Sequence, residues 1–382
     1  MARRNALYAK NIKKDINRGG VMTEKNRTFI WGAASLFSIF FTLGSSAASA
    51  QDILMNRSPD RQRLLIEGAQ KEKQVTIYSA MIVNQALRPL VDGFMRKYPF
   101  VRARYWRADT EEIIAKVSAE ARAGNVSSDV VEGTGIGELA AEGIFMSPYY
   151  SPMVADYPER YRDPNGNWTA TRVSYFSIAY NTKQISKSDL PKSYEDLLDP
   201  KWKGKLAWRI GTSSGTPLFL SNIRIAMGEE KAAAYFDKLA QQKIINFGSG
   251  SARTLVDRVI AGEFPIALNI FAHHPLISKA KGAPVDSLLL DPTPATTATM
   301  VVTKGTRNPH AALLLVDYIL SKEGQEILAK AEYFPARPDV APLESLSSVV
   351  PAIAGVPENF INPEKLLKYT ESSSTIYQDK FR

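Results

Sequence analysis

Cysteine is absent from all 382 residues. No disulfide can staple this chain, so its stability has to come from a large apolar core. Histidine is scarce too: there are three, and two of them, His273 and His274, stand side by side in "FAHHP". No H-E-x-x-H helix and no G-x-S-x-G elbow occurs, which removes two common hydrolase patterns. Internal repeats and low-complexity tracts are missing as well. What is present, 45% apolar and 23% charged residues, is ordinary for soluble globular material. The length suggests two or three domains.

The positive charge is concentrated at one end. Residues 1–50 hold 8 of the 48 basic residues and 2 of the 39 acidic ones, leaving 40 against 37 and a net charge of +3 rather than +9. No basic stripe remains beyond that point, so nucleic acid is not an expected partner. Within the first fifty residues a basic stretch precedes "FIWGAASLFSIFFTLG" and then "SSAASAQD", with Ala48 and Ala50 at the A-x-A positions of a secretory signal. Met22 offers a second start. The apolar run is too short for a membrane span. Residues 1–50 are therefore expected to be a signal peptide cleaved near Ala50. With no cysteine to carry a lipid, the product is expected to be free in the periplasm.

From Gln74 onward, strand and helix patterns alternate. "QVTIYSA", "FVRARYWRA" and "SSDVVEGT" read as strands. Helical spacing runs through "NQALRPLVDGFMRKY", through "TEEIIAKVSAEARAG" with Thr110 as its N-cap, and through "GELAAEGIF". Such an order builds a doubly wound parallel sheet. A long helix-free stretch, "NWTATRVSYFSIAYNT", then leads into a second α/β set that ends in "PIALNIF". Another helix-free stretch, "VDSLLLDPTPATTATMVVTKG", leads back. The helix of "NPHAALLLVDYILS" follows, with Asn308 as N-cap and Pro309 at its first position. The expected fold is α/β and two-lobed, with two crossing strands acting as the hinge. Lobe 1 covers 51–172 with 291–340 returning to it, lobe 2 covers 173–290, and 341–382 packs on the lobes.

Three stretches carry a resemblance to a known family: "TIYSAMIVNQALRPLVDGFMRKYPFVRARYWRA" at 76–108, "YNTKQISKSDLPKSYEDLLDPKWKGKLAW" at 180–208 and "TKGTRNPHAALLLVDYILSKEGQEILAKAEYFPARPDV" at 303–340. Together they resemble the periplasmic solute-binding proteins of ABC importers. The branch is the ferric-iron type, with its thiamine, phosphonate and polyamine relatives. The resemblance implies a type II-like two-lobed fold closing on a ligand, no catalysis and no cofactor. It implies as partners a small-molecule ligand and a membrane permease with its ATPase, served by a monomer.

The resemblance also implies where ferric ligands would stand. The histidine position falls near Ile82, the glutamate position near Thr134 with Glu132 two residues before it, and the tyrosine pair at Ala272 to His274. The phenolates are gone. Two imidazoles suit zinc, nickel or copper better than ferric iron. A metal or metal chelate held by His273 and His274 is therefore the alternative to the favoured ligand, and a histidine-dependent exported enzyme is a more distant one.

The favoured ligand is an organic anion: a carboxylate, phosphonate or phosphate ester. "GTSSGTPLF" places Thr212, Ser213 and Ser214 before one helix, and "FGSGSARTL" places Ser249, Ser251 and Arg253 at another. Hydroxyls and N–H groups at helix starts attract anions, although simple N-capping accounts for any one of them. Arg253 could add a bidentate contact. Ser79, Arg107 and Thr134 end strands that should open on the same cleft, and His273 and His274 close the strand "PIALNIF". Of the aromatics Tyr78, Trp106, Tyr175, Phe176 and Phe271, one or two could stack on an organic ligand.

Overall fold

The computed structural model describes residues 50–137, 145–211, 214–248 and 250–382. Residues 1–49 of the segment read as a signal peptide, most of the helix read in "GELAAEGIF", and Thr212, Ser213 and Ser249 lie outside them.

Lobe 1 begins with helix α1 (Arg61–Glu72), strand β1 (Gln74–Ser79), a π-turn over Val83–Leu87 and helix α2 (Arg88–Lys97). Strand β2 (Arg102–Arg107), helix α3 (Thr110–Arg122), β3 (Val130–Thr134) and the short β4 (Met146–Ser147) follow. β1 lies between β2 and β3 and runs parallel to both. The helices cover it because leucine, valine and phenylalanine recur on one face. Leu65, Leu87, Leu90 and Phe94 meet Val75 and Ile77 in the largest apolar cluster.

The chain leaves through β5 (Thr169–Asn181), thirteen residues that are buried throughout. Such a strand reads as a continuous β-branched and aromatic run because both faces are covered. Lobe 2 holds β6 (Leu206–Trp208), helix α4 (Thr216–Met227), β7 (Ile245–Asn246), helix α5 (Ala252–Ile260), β8 (Ile266–Phe271), helix α6 (His273–Lys279) and β9 (Val285–Leu288). β6 runs parallel to β7 and β8. β10 (Thr293–Thr303) then returns to lobe 1, where helix α7 (Pro309–Leu320) is buried along nearly its whole length. A two-residue strand, β11 (Phe334–Pro335), pairs with β5.

β5 joins the two halves of the sheet. Up to Tyr175 it pairs with β10, and from Phe176 on it pairs with β8 and β9. Among the described residues the strand order is β2-β1-β3-β10-β5-β8-β6-β7. The carboxyl ends of the parallel strands in both lobes therefore face a common cleft beside the crossings. The tail adds β12 (Glu358–Phe360) to β10 and ends in helix α8 (Pro363–Lys380), which packs on lobe 2 through Tyr377.

Two helix starts differ from the sequence expectation. Asp109, not Thr110, occupies the cap of α3. Asn308 stands at the cap of α7 but makes no side-chain cap bond; its amide donates to Asp129 at 3.1 Å. Glu72 caps that helix instead, accepting from the backbone N–H groups of His310 at 3.2 Å and Ala311 at 2.8 Å. A carboxylate contributed by α1 satisfies the orphan donors at the helix end and suits its dipole.

Candidate functional site

A cavity of about 470 Å³ lies between the lobes, in the range usual for small-molecule sites. Lobe 1 supplies Ile82, Asn84, Arg107, Asp109, Thr110, Glu111, Thr134, Arg172 and Tyr333 among others, and the crossing strand β5 adds Ser174. Lobe 2 supplies Arg209, Ser214, Ser251, Ala252, Arg253, Phe271, His273 and His274.

Four arginines face this space, and their partners distinguish them. Arg107 donates to Asp109 at 2.8 Å, two residues along. Arg172 is bound to the fully buried Glu132 and lies 4.9 Å over the ring of Tyr333. Glu132 also accepts from Ser79 Oγ at 2.6 Å and Thr171 Oγ1 at 3.1 Å, so both its oxygens are engaged. Arg253 reaches Asp257 at 3.1 Å and the carbonyl of His274 at 3.4 Å. Arg209 has no carboxylate partner among the described residues. It donates to Ser214 Oγ, and its Nε is buried without an acceptor. Burial presses its pKa below the ordinary guanidinium value, against the pull of Glu111 and Asp109 across the cleft. Such a cation calls for an anion.

Local folding explains why Arg209 stands there. β6 ends at Trp208, so Arg209 is at the carboxyl end of a parallel strand. Gly215 packs back against Gly211: a Cβ on Gly215 would lie 2.6 Å from the Gly211 nitrogen, so only glycine fits. Thr216 Oγ1 donates to the Arg209 carbonyl at 2.8 Å and closes the turn. Asn269 fixes it from behind, donating to the carbonyls of Ser214 at 3.1 Å and Gly215 at 2.9 Å. Asn269 itself sits at φ 55°, where the β5–β8 register shifts. That bulge turns its amide toward the loop.

His273 and His274 open α6, buried to 4% and 8% exposure. Their rings lie 4.4 Å apart, and His273 is enclosed by Tyr333 and Phe334 at 5.3 and 5.7 Å. Both ring nitrogens of His273 and Nδ1 of His274 have no hydrogen-bond partner. Burial, with the charges of Arg253 and Arg209, brings the His274 pKa down to about 3. Burial, His274, Arg172 and Arg253 push His273 in the same direction. Both imidazoles are therefore neutral at ordinary pH.

Of the residues singled out in the sequence, Arg107, Thr134, Ser214, Ser251, Arg253, His273 and His274 line the cavity, and Thr212 and Ser213 lie outside the described residues. Ser79 does not line it: its hydroxyl is turned inward onto Glu132 and braces the Arg172 pair. Ser251 is mainly an N-cap, accepting from Thr254 N at 3.1 Å. Of the aromatics, Phe271 lines the cavity, while Tyr78 and Trp106 pack on each other at 5.1 Å in lobe 1. Sequence reasoning missed Arg172, Arg209, Asp109, Glu111, Asn84 and Tyr333. Arg209 was findable, since it ends a parallel strand as Arg107 does. Arg172, an arginine inside an otherwise apolar crossing strand, was a second signal.

The family of bacterial extracellular solute-binding proteins matches residues 129–351. An uncharacterized protein of Haemophilus influenzae is 28% identical over 281 residues, 70% of this chain and 79% of its own length. The periplasmic binding protein AfuA of Actinobacillus pleuropneumoniae, with fructose-6-phosphate bound, superposes with a TM-score of 0.69 at 25% identity, covering 81% of this chain and 98% of its own. Iron-bound HitA of Pseudomonas aeruginosa superposes at 0.68 and 20% identity, covering 80% and 98%.

Two lobes, crossing strands and an interlobe cavity define a periplasmic-type binding protein. The chain belongs to the bacterial extracellular solute-binding protein family and works as the solute-binding component of an ABC importer.

Proposed function

We propose that the solute is a small organic anion, a phosphate ester, phosphonate or carboxylate, seated against lobe 2 and enclosed when lobe 1 closes. The observation that carries this reading is Arg209: buried, facing the cavity, and without a carboxylate in ion-pair contact among the described residues. Arg107, Arg172 and Arg253 are already paired with Asp109, Glu132 and Asp257, so the guanidinium of the cleft without an ion pair among the described residues is Arg209 of lobe 2. An anion there gains charge-assisted bonds from Arg209 and Arg253 and the hydroxyl of Ser214. Its differential affinity for the closed form would shift the lobes together, and the permease with its ATPase would read that closure. AfuA, bound to fructose-6-phosphate, lends support. On this reading the protein works in the periplasm, released from a signal peptide near Ala50, and acts as a monomer.

A metal or metal chelate is the rival reading, favoured by the unpartnered nitrogens of His273 and His274 and by the likeness of fold to iron-bound HitA. Among the described residues no cluster of three or more metal-ligating side chains occurs, and the surrounding arginines repel a bare cation. Base catalysis by the histidines lacks a nucleophile bonded to His273.

Thermal-shift titration separates these readings. Phosphate esters, phosphonates and carboxylates should stabilise the protein, by about 2.7 kcal/mol at a hundred times Kd, and Arg209→Met should abolish the effect. Stabilisation by transition metals alone, lost in His273→Ala, would sink the anion reading.

A further inference from the structure

Two crossings make a hinge, but the chain passes between the lobes once more. The segment beyond Val356, outside the 129–351 stretch shared with the family, is fastened at both ends. On lobe 1, β12 pairs in parallel with β10, Ile361 N donates to the Ala295 carbonyl at 2.8 Å, and Arg160 holds Glu358 at 2.9 Å. On lobe 2, α8 packs along α4, where Arg224 donates to Ser372 and Ser373 at 2.8 and 2.9 Å, and the ring of Trp208 meets Phe381 at 4.9 Å. Asn359 bridges the two directly, since it belongs to the lobe 1 strand and donates to Asn222 Oδ1 of α4 at 2.8 Å.

Between these anchors Ile361 and Leu366 are fully buried against Phe176 of the crossing strand and Leu218 of α4. Phe271 packs on the same cluster, and its other neighbours are His273 and His274 at 6.0 and 5.4 Å. α4 follows directly on the turn that holds Arg209 and Ser214. The tail thus lies behind two of the lobe 2 elements that face the cavity, the turn leading into α4 and the end of β8. A rotation of the lobes about β5 and β10 alone would pull Asn359 from Asn222 and shear this cluster.

We propose that residues 357–381 form a third interlobe tie that limits hinge rotation, and that Ile361 and Leu366 are positioning residues for the ligand-facing wall of lobe 2. A packed cluster spanning a hinge has few discrete arrangements and turns free rotation into a small, stepped shear. This inference does not depend on the solute being an anion.

Because the chain has no cysteine, two introduced ones can be labelled cleanly. Glu112→Cys in α3 and Lys231→Cys in lobe 2 are both exposed and accept spin labels, giving an interlobe distance distribution without ligand. Asn359→Ala combined with Arg160→Ala removes the direct bridge to Asn222 and the Arg160–Glu358 pair at partly exposed positions, while the backbone pairing of β12 with β10 stays. The distribution should broaden and move to longer distance while the thermal midpoint stays within a few degrees of the parent. Ile361→Ala with Leu366→Ala should broaden it further; should that variant not fold, the Asn359/Arg160 pair alone decides. A distribution identical to the parent's in the Asn359/Arg160 variant would overturn the proposal, whatever ligands the protein proves to bind.

Discussion

Arg209 and Ser214 are hydrogen-bonded to each other across a turn that only Gly215 can close, and this bond takes one guanidinium arm while leaving Nε without an acceptor. The cation is fixed in direction before any ligand arrives, so little ordering is left for binding to cost. Desolvation of an uncompensated charge is at the same time a burden on the fold. Arg209→Met should therefore leave the ligand-free protein as stable as the parent or more so, while ligand-induced stabilisation is lost. Chemical denaturation with and without added phosphate ester reads both quantities. A variant destabilised in the ligand-free state would show that Arg209 supports the fold instead.

Arg172 should behave in the opposite way. Its guanidinium is bound to Glu132, which has 0% exposure and accepts from Ser79 and Thr171 as well. Removing the cation strands a buried carboxylate, a loss of about 3–5 kcal/mol in comparable pairs. Arg172→Met should lower the urea midpoint accordingly, and Arg172→Met with Glu132→Gln should recover much of the loss. Equal destabilisation in the single and the double variant would mean the pair is not coupled.

The histidines set an acid limit. Both are held neutral by burial and neighbouring arginines, His274 with a pKa near 3. Unfolded histidine titrates near 6.5, so below that pH the unfolded chain binds protons that the fold excludes. Stability is then full above about 6.5 and falls as pH drops toward 3, with a slope of up to about 1.4 kcal/mol per pH unit for each histidine. His273→Phe with His274→Gln should flatten the dependence of the unfolding free energy between pH 6.5 and 4.5. An unchanged slope would place the acid sensitivity in groups other than these two histidines.

The two-lobed fold was legible because both lobes repeat short strands and amphipathic helices, and because β5 and β10 appear as helix-free β-rich runs. The cleft was half legible. Strand ends pointed to Arg107, Thr134 and the histidines, as parallel topology requires. Whether a polar group faces the cleft or the core depends on its partner, and partners lie far apart in sequence. Ser79 and Glu132 are 53 residues apart, so nothing local announced that the hydroxyl would turn inward. The same holds for Arg172, which is separated from Glu132 by 40 residues. The bulge at Asn269 was invisible for a different reason. "ALNIF" reads as an unbroken strand, and its positive φ emerges only from the pairing with β5.

Asn269 therefore offers a sharp test of how the anion turn is built. It combines a left-handed backbone, which asparagine tolerates better than most residues, with an amide that holds the carbonyls of Ser214 and Gly215. Asn269→Gly relieves the backbone and removes only the two hydrogen bonds. Asn269→Ala removes the same bonds and keeps a β-carbon at φ 55° without asparagine's tolerance of that backbone. If the amide positions the turn, both variants should weaken phosphate-ester binding to a similar degree, about tenfold or more for bonds worth 1–3 kcal/mol. Their thermal midpoints should differ, with alanine the lower. Isothermal titration beside thermal unfolding measures the two effects separately. Binding retained in Asn269→Gly would show that the turn holds its shape through Gly215 and Thr216 alone, and that Asn269 serves the bulge rather than the ligand.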